Sequence, residues 1–155
     1  MGDANVGKTS IIKSFVDNTS MRNKTKVNTK VIEDFTKVIT VQDNKNQTHL
    51  LKLNIYDAAG DAAVHNLAHL FLHDAKVGIL CYSIDNKKSF DQLSEWYEHL
   101  QEKNEEMFIV IVGSKNDLTH NRAVPQAYAQ KLKQEFPNCK FTIETSAFEN
   151  IESIR

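Results

Sequence analysis

The sequence predicts an α/β domain in which a mostly parallel central sheet has helices on both faces. Strand-like and helix-like segments alternate along all 155 residues, and strands separated by single helices imply parallel pairing through right-handed crossovers. The continuous apolar run KVGILCYSI is of the kind that is buried on both faces of a sheet, and MFIVIVGS is typical of a core strand. The glycine-rich segment GDANVGKTS near the start is typical of a loop between a buried strand and a helix.

The composition is that of an ordinary globular domain. The chain is 41% hydrophobic and 25% charged, with a formal net charge of -1. This balance gives no positive field for nucleic acid, and no apolar run approaches the roughly 18 residues that a membrane span requires. Cys81 and Cys139 lie in apolar stretches, where we expect buried free thiols in a reducing, intracellular compartment rather than a disulfide.

The first half of the chain predicts one helix and one hairpin. Residues 9–17 have apolar side chains at helical spacing, and the polar residues 18–28 that follow show no periodicity. Residues 35–41 and 49–56 are rich in residues that favour strands, and the polar segment QDNKNQT separates them. This arrangement predicts an antiparallel hairpin with a long polar turn.

The second half alternates between helices and core strands. We expect helices over residues 63–73, 89–101 and 125–135. The two apolar runs and a final CKFTIETS segment are expected to form the strands between and after these helices. No internal repeat or low-complexity linker interrupts the alternation, so we expect one domain over residues 1–155.

The GDANVGKTS segment has the spacing G-x-x-x-x-G-K-[ST] of a phosphate-binding loop. Backbone N–H groups of such a loop surround the β-phosphate, Lys8 adds a positive charge, and the Thr9 hydroxyl can bind Mg²⁺. The alternative is a loop that needs glycine only for its turn. The nucleotide contacts predicted in this segment are Asp3, Ala4, Asn5, Val6, Gly7, Lys8, Thr9 and Ser10.

A second candidate segment, IYDAAG, follows an apolar strand. Asp57 at the strand end can hold the metal through a water molecule, and Gly60 can offer its N–H to the terminal phosphate. Taken alone, this short motif is weak.

Two further strand ends favour guanine. In IVIVGSKND, the Asp117 carboxylate can accept the N1–H and N2–H₂ groups that adenine lacks, and in IETSA the N–H of Ala147 can reach the guanine O6. Either could be a solvated turn, but all the motifs lie in order at carboxyl ends of strands, where α/β folds bind ligands. The base-side contacts predicted are Ser114, Lys115, Asp117, Leu118, Ser146, Ala147 and Phe148.

Together, these motifs resemble the small GTPases of the Ras superfamily, and most of all the Rab branch. The resemblance covers essentially the whole chain, through GDANVGKTS, YDAAG, GSKNDL and ETSA. It implies a P-loop small-GTPase G domain that binds GTP or GDP with Mg²⁺, hydrolyses GTP, and regulates vesicle traffic or related signalling. It also implies effectors, exchange factors and activating proteins that bind two switch regions, and a cytoplasmic location that includes the cytoplasmic face of endomembranes.

The resemblance also implies chain that this sequence does not contain. Family members have a strand before the phosphate loop and a long helix after the ETSA turn, so we expect the domain to be incomplete at both ends. A membrane contact would require a lipidated tail, which is not present in this chain.

In the first switch, family members use a threonine that closes on Mg²⁺ and the γ-phosphate. Thr29 is the candidate here. It lies one residue further from Asp34 and Phe35 than the family spacing, and Thr25 is the alternative.

Asp61 occupies the place of the family's catalytic glutamine. The other catalytic candidates are Gly60 and Lys8. A carboxylate cannot donate a hydrogen bond to the transferring phosphoryl group, and its charge opposes the γ-phosphate. We therefore predict that hydrolysis is slower than with glutamine at this position, by a factor on the order of 10² to 10³. The alternative is a pseudo-GTPase, a binding scaffold with little or no turnover.

Other departures from the family concern affinity and partners. Ser114 stands where asparagine is usual, which we expect to remove an amide that braces the loop, and Phe148 stands where lysine is common. His65, His69 and His73 recur at helical spacing, and a solvated face is favoured over a metal site or a pH-sensitive partner surface. Phe35, Tyr56 and Phe71 fall where Rab proteins have an aromatic cluster that effectors contact.

Overall fold

The computed structural model of the protein describes residues 1–21, 32–60 and 71–148. Its elements alternate as expected for an α/β domain. The strands are β1 Ile32–Gln42, β2 Thr48–Ala58, β3 Val77–Ser83, β4 Phe108–Ser114 and β5 Cys139–Glu144. The helices are α1 Lys8–Asp17, α2 Lys87–Asp91, α3 Leu93–Lys103 and α4 Gln126–Glu135, with a short 3₁₀ helix at Thr119–Asn121.

Strands β3, β4 and β5 form a parallel sheet in that order. Val77 of β3 pairs with Phe108 of β4, and Ile109 of β4 pairs with Cys139 of β5. Helices α3 and α4 lie in the crossovers, as parallel pairing requires a connection that returns the chain to the same end of the sheet. The carboxyl ends of the three strands therefore meet at one edge.

The main core lies on one face of this sheet, against α3 and α4. Leu80 and Tyr82 of β3 and Ile109 and Ile111 of β4 are 0% exposed. They alternate with residues of the other face because side chains of a strand point to opposite sides. The helices contribute Leu93, Trp96, Leu100, Ala129 and Leu132 to the same cluster.

The prediction that the KVGILCYSI strand is buried on both faces is wrong for its first half. Val77 and Ile79 are 52% and 49% exposed. On this face a small buried cluster of Val6, Cys81 and Val112 forms only near the carboxyl ends of the strands. The phosphate loop and α1 cover that end, and α1 is only 10 residues long, or about 15 Å.

Strands β1 and β2 form the predicted antiparallel hairpin, with Phe35 opposite Ile55. Within the described residues the hairpin is a separate two-stranded sheet, rather than part of one central sheet. The backbone of Met1 lies against β3, where its carbonyl accepts from the Cys81 N–H over 2.9 Å. Met1 also packs near Ala58 and Ala59 at the end of β2, so the first residue contacts both sheets.

Lys37 joins the hairpin to the end of α1. Its ammonium group donates to the Phe15 carbonyl and, over 2.8 Å, to Asn18 Oδ1, and it lies 4.3 Å from the centre of the Phe15 ring. A cation at this position stabilises a helix because the last carbonyl groups of the helix carry partial negative charge. The contact holds α1, which carries the phosphate loop at its other end, against β1.

Most of the predicted helices and strands are confirmed within a few residues. The segment expected as one helix over 89–101 is two, α2 and α3, which meet at Gln92. Both cysteines are free and buried, as expected. The helix predicted over 63–73 and the loop predicted over 18–28 lie largely outside the described residues.

Candidate functional site

The phosphate loop occupies residues 2–7, directly before α1. Gly2 and Gly7 have φ values of 134° and 101°, and Asn5 has φ of 65°. These are left-handed or similarly restricted conformations, which glycine adopts without a steric penalty and asparagine tolerates. The loop therefore has a sharply folded backbone at the start of a helix, the arrangement in which N–H groups can converge on an anion.

The side chain of Lys8, the first residue of α1, reaches back to this loop. Its Nζ donates to the carbonyl oxygens of Gly2 and Asp3, each over 2.8 Å. Burial lowers the pKa of the Lys8 ammonium group below its ordinary value, because desolvation disfavours the charged form. An anionic group close to the ammonium group would act in the opposite direction and raise this pKa.

Thr9 and Asp57 meet at the end of β2. The Thr9 hydroxyl donates to Asp57 Oδ2 over 2.5 Å, and Asp57 is 1% exposed. A hydroxyl and a carboxylate are the hard oxygen donors that Mg²⁺ prefers, and Mg²⁺ sites in proteins commonly combine one or two such groups with phosphate oxygens and water. The two side chains therefore fit the metal site expected from the sequence.

Gly60 packs directly on the phosphate loop. A Cβ atom at this position would lie within 2.6 Å of the Asp3 carbonyl oxygen, closer than van der Waals contact allows. The close approach requires glycine, and it puts the backbone that follows Asp57 against the loop residues Asp3 and Ala4. Gly60, a predicted phosphate contact, thus lies against the glycine-rich loop.

The base-side loops after β4 and β5 are bonded to each other. The Ser146 hydroxyl donates to Asp117 Oδ1 over 2.5 Å, and the Phe148 N–H donates to Ser146 Oγ over 3.0 Å. The Asn116 N–H donates to the Thr145 carbonyl over 3.1 Å. Lys115 has φ of 59°, a strained value for a residue with a side chain, as is common at functional sites. These contacts hold the Asp117 carboxylate in one orientation.

Ser114 connects the base-side loop to the phosphate loop. Its Oγ lies within hydrogen-bond distance of the Val6 carbonyl and, at 2.8 Å, of the Tyr82 carbonyl. A hydroxyl has one hydrogen and so donates fully to only one of them at a time. The expectation that serine here loses the brace on the loop is wrong, because the hydroxyl itself reaches the phosphate loop.

The other predicted contacts lie around the same edge. Ala4 and Asn5 are exposed at the loop tip, Ser10 is partly buried in the first turn of α1, and Phe148 is 42% exposed. Leu118 donates its N–H to the Lys115 carbonyl, and the Ala147 carbonyl accepts from the Met21 N–H, each over 2.9 Å. The structure thus gathers at one edge every predicted contact that it describes, from Asp3 to Ser10, Asp57, Gly60, Ser114, Lys115, Asp117, Leu118, Ser146, Ala147 and Phe148.

Several predicted residues lie outside the described part of the chain. These are the first-switch candidates Thr29 and Thr25, the catalytic candidate Asp61, and the histidines His65 and His69. In the three described ranges, no group of three or more His, Cys, Asp or Glu residues could hold a metal ion.

Two of the three aromatic residues singled out in the sequence are in contact. The rings of Tyr56 and Phe71 are 4.7 Å apart between centroids, and Tyr56 is 46% exposed. Phe35 pairs with Ile55, whereas its neighbour Asp34 pairs with Tyr56. Phe35 therefore points to the other face of the hairpin, where Lys13 of α1 lies 5.9 Å from its ring centre.

Trp96 and Arg122 contact the site but were not among the residues that the sequence predicted. Trp96 of α3 donates to Asp3 of the phosphate loop, and Arg122 binds Glu144, which directly precedes the base-side turn. Neither residue belongs to a motif with fixed spacing. The nearest signal was the position of Glu144 inside the IETSA segment, which gave no partner.

The chain is similar in sequence to known proteins. Residues 1–154 match the Ras family. The chain is 32% identical over 137 residues to Ras-related protein Rab-26 of Mus musculus, covering 88% of this chain and 50% of the relative. It is 34% identical over 151 residues to Ras-related protein RabJ of Dictyostelium discoideum, covering 97% of this chain and 56% of the relative. It is 32% identical over 136 residues to Ras-related protein Rab-10 of Caenorhabditis elegans, covering 87% of this chain and 64% of the relative.

The chain therefore spans between 50% and 64% of the length of these relatives. Among the helices that the structure describes, none is both long and apolar enough to cross a membrane.

Proposed function

Since the chain belongs to the Ras family, we propose that it is a Rab-like molecular switch that binds GTP and GDP with Mg²⁺ and hydrolyses GTP slowly. In this proposal the triphosphate binds the loop from Gly2 to Gly7, and the guanine lies at the loops that contain Asp117 and Ala147. The proposal covers the nucleotide site of this chain and the conformational response of its switches.

The contact between Thr9 and Asp57 carries the proposal. These residues are 48 positions apart, yet their side-chain oxygens are 2.5 Å apart beside Lys8. A contact that only stabilised the fold would have no reason to lie beside a lysine whose ammonium group is bound by a glycine-rich loop. A hydroxyl and carboxylate pair, a lysine and a glycine-rich loop before a helix are together the parts expected of a nucleoside triphosphate site.

Each group has a separate task in this mechanism. The loop N–H groups bind the β-phosphate, and Lys8 exchanges its two carbonyl acceptors for phosphate oxygens. Thr9 and Asp57 would hold Mg²⁺, which when bound neutralises charge on the β- and γ-phosphates. Gly60 offers its N–H to the terminal phosphate, so the chain that follows can respond to the presence of that phosphate.

Guanine selectivity is assigned to Asp117. Its carboxylate accepts one hydrogen bond from Ser146 over 2.5 Å and retains further acceptor capacity for the N1–H and N2–H₂ of guanine. Adenine presents no such pair of donors. Ser114, Lys115, Leu118 and Phe148 are proposed as neighbours of the purine.

Slow turnover is proposed from the identity of Asp61. A carboxylate beside the γ-phosphate repels it and cannot donate to the transferring group, so the attacking water is poorly positioned. The same residue favours the second candidate, a pseudo-GTPase scaffold with little or no turnover. Thr29 is proposed to complete the metal site in the first switch, with Thr25 as its alternative.

The proposed partners are proteins that distinguish the two nucleotide states. Effectors, exchange factors and activating proteins would bind the two switch regions, near Tyr56, which is exposed, and Phe71, which is partly buried. Regulation of vesicle traffic at the cytoplasmic face of endomembranes is proposed from the Rab-named relatives. Membrane contact would then require a lipidated tail.

The test is titration calorimetry of the full chain with GDP, GTP and ATP, with and without Mg²⁺. We expect guanine nucleotides to bind on the order of 10²-fold or more tighter than ATP, because adenine gives the Asp117 carboxylate no N1–H and N2–H₂ donors. The variant Thr9→Val, which has nearly the same shape without the hydroxyl, should lose most of the gain from Mg²⁺. Equal affinity for GDP and ATP would refute the proposal.

Single-turnover hydrolysis separates the two candidate functions. Slow but measurable conversion of bound GTP supports the switch. A chain that keeps GTP intact throughout the measurement is a pseudo-GTPase.

A further inference from the structure

The chain's single tryptophan connects helix α3 to the phosphate loop. The Trp96 indole N–H donates to Asp3 Oδ1 over 2.9 Å, across 93 positions of sequence. Trp96 is 7% exposed and belongs to the main core, so packing determines its position. A rigid core side chain therefore holds a loop residue by its carboxylate.

Asp3 is also the residue where two other parts of the site meet. Its carbonyl oxygen accepts from Lys8 Nζ over 2.8 Å. The same oxygen lies within 2.6 Å of the position that a Cβ of Gly60 would occupy. Movement of Asp3 would thus displace both the lysine and the backbone proposed to bind the terminal phosphate.

The end of helix α3 also contacts residues 73–75, which follow the expected second-switch segment. The Asn104 side-chain amide, at the end of α3, donates to the carbonyl oxygens of His73 over 3.1 Å and Ala75 over 2.9 Å. The helix between Trp96 and Asn104 has continuous backbone bonding. It therefore links the phosphate loop to the segment that follows residues 61–70.

We infer that Trp96 is a positioning residue for nucleotide binding, which fixes Asp3 through its indole N–H and thereby slows nucleotide release. The inference rests on the proposed function, since it concerns the same site. Its physical basis is preorganisation: a loop held in its binding conformation loses less conformational entropy when the ligand binds. Without the bond, the Asp3 end of the loop gains freedom that bound nucleotide must remove.

A different role for Asp3 predicts the opposite effect of its removal on the rate of nucleotide release. If its carboxylate acted only as a negative charge near the phosphates, removing the charge would slow nucleotide release. If the bond to Trp96 positions the loop, removing the carboxylate speeds release. The direction of the change therefore distinguishes the two roles.

The experiment measures release of radiolabelled GDP from the full chain. We expect Trp96→Phe and Asp3→Ala each to speed release by about tenfold, since both remove a hydrogen bond to a charged acceptor. The double variant should release GDP as fast as either single variant, because all three lack the same bond. Asp3→Asn keeps an acceptor oxygen and should restore most of the retention.

Tyr97→Leu is the matched control. Tyr97 is the next residue of α3 and stacks on Phe136 with 3.9 Å between ring centroids. Its loss should destabilise the same helix and leave the GDP release rate unchanged. Faster release from Tyr97→Leu, equal to that from Trp96→Phe, would mean that helix stability alone sets the rate, and would overturn the inference.

Tryptophan emission gives a readout that a purely structural role would not affect. Since the chain contains one tryptophan, we expect its emission to change when GDP and Mg²⁺ bind to the wild type, and to change far less in Asp3→Ala. Unchanged GDP release in both Asp3→Ala and Trp96→Phe would overturn this inference alone. A wild-type chain that binds no GDP overturns it together with the proposed function.

Discussion

The guanidinium group of Arg122 donates to both carboxylate oxygens of Glu144, each over 2.7 Å. It also donates to the Val124 carbonyl over 3.0 Å and to Asn116 Oδ1 over 3.3 Å. Glu144 ends β5, and Asn116 precedes Asp117 in the loop after β4. One side chain therefore joins the two loops that are proposed to hold the purine.

Replacing Arg122 by alanine should lower the free energy of unfolding by about 2 kcal/mol, because the Glu144 carboxylate is left without its charged donor. The Glu144 side chain is 9% exposed, so water replaces the lost bonds poorly. GDP affinity should fall as well, since the two loops lose one of the contacts that join them. Urea unfolding and calorimetry measure the two effects.

The matched control for Arg122 is Lys87→Ala. It breaks an exposed ion pair with Asp91 at i,i+4 spacing, and such pairs contribute about 0.3–0.5 kcal/mol. Arg122→Lys should be intermediate, because an ammonium group cannot bind both carboxylate oxygens in the planar geometry of guanidinium. Equal losses in Arg122→Ala and Lys87→Ala would contradict the role of the Arg122 contact.

Asp117→Asn should shift base preference from guanine toward xanthine. The amide presents a donor where the carboxylate presents an acceptor, which matches the O2 carbonyl of xanthine instead of the guanine amino group. Competition between GDP and XDP for the full chain measures the change. Asp91→Asn, which alters an exposed carboxylate elsewhere, is the control. If Asp117→Asn binds GDP with unchanged selectivity, the assignment of the base site is wrong.

Asp61→Gln should hydrolyse bound GTP at least about tenfold faster than the wild type. The amide can accept from the attacking water and donate toward the transferring phosphoryl group, and it removes a charge that opposes the γ-phosphate. Single-turnover hydrolysis under saturating Mg²⁺ gives both rates. Identical rates for the two chains would show that Asp61 does not limit hydrolysis.

Nucleotide binding should take up protons in the alkaline range. Burial lowers the pKa of Lys8 in the free chain below its ordinary value of 10.5, and bound phosphate should raise it again. Between the lowered pKa and 10.5 the free folded chain is the form with fewer protons, so binding adds them. By the same argument, the unfolded chain binds more protons there, and the stability of the free chain rises with pH across this window.

Calorimetry in two buffers of different ionisation enthalpy measures this uptake. It should appear between the lowered pKa of Lys8 and its ordinary value of 10.5, and decline below that window, where Lys8 is protonated with and without nucleotide. Lys8→Arg stays charged throughout and should lack the alkaline uptake. Proton uptake that is the same for Lys8 and Lys8→Arg would assign the effect to another group.

Much of the fold follows from local patterns. The hairpin was predictable because alternating side chains and a polar turn are signals within one segment, and the observed β1 and β2 contain the predicted ranges. Burial was less predictable. Ile79 lies in a continuous apolar run but is 49% exposed, because exposure depends on which element covers that face of the sheet, not on the residue type.

The sequence alone determined the α/β class and predicted the residues of the candidate site, because the proposed phosphate and base loops are contiguous motifs whose spacing reflects local backbone geometry. Only the tertiary structure decided the partners of those residues: Asp57 for Thr9, Trp96 for Asp3, Glu144 for Arg122, and the Val6 carbonyl for Ser114. A hydrogen bond depends on distances of about 3 Å in space. The number of residues between two positions in the sequence does not determine their distance in space, so these partners are known only once the strands and helices have packed.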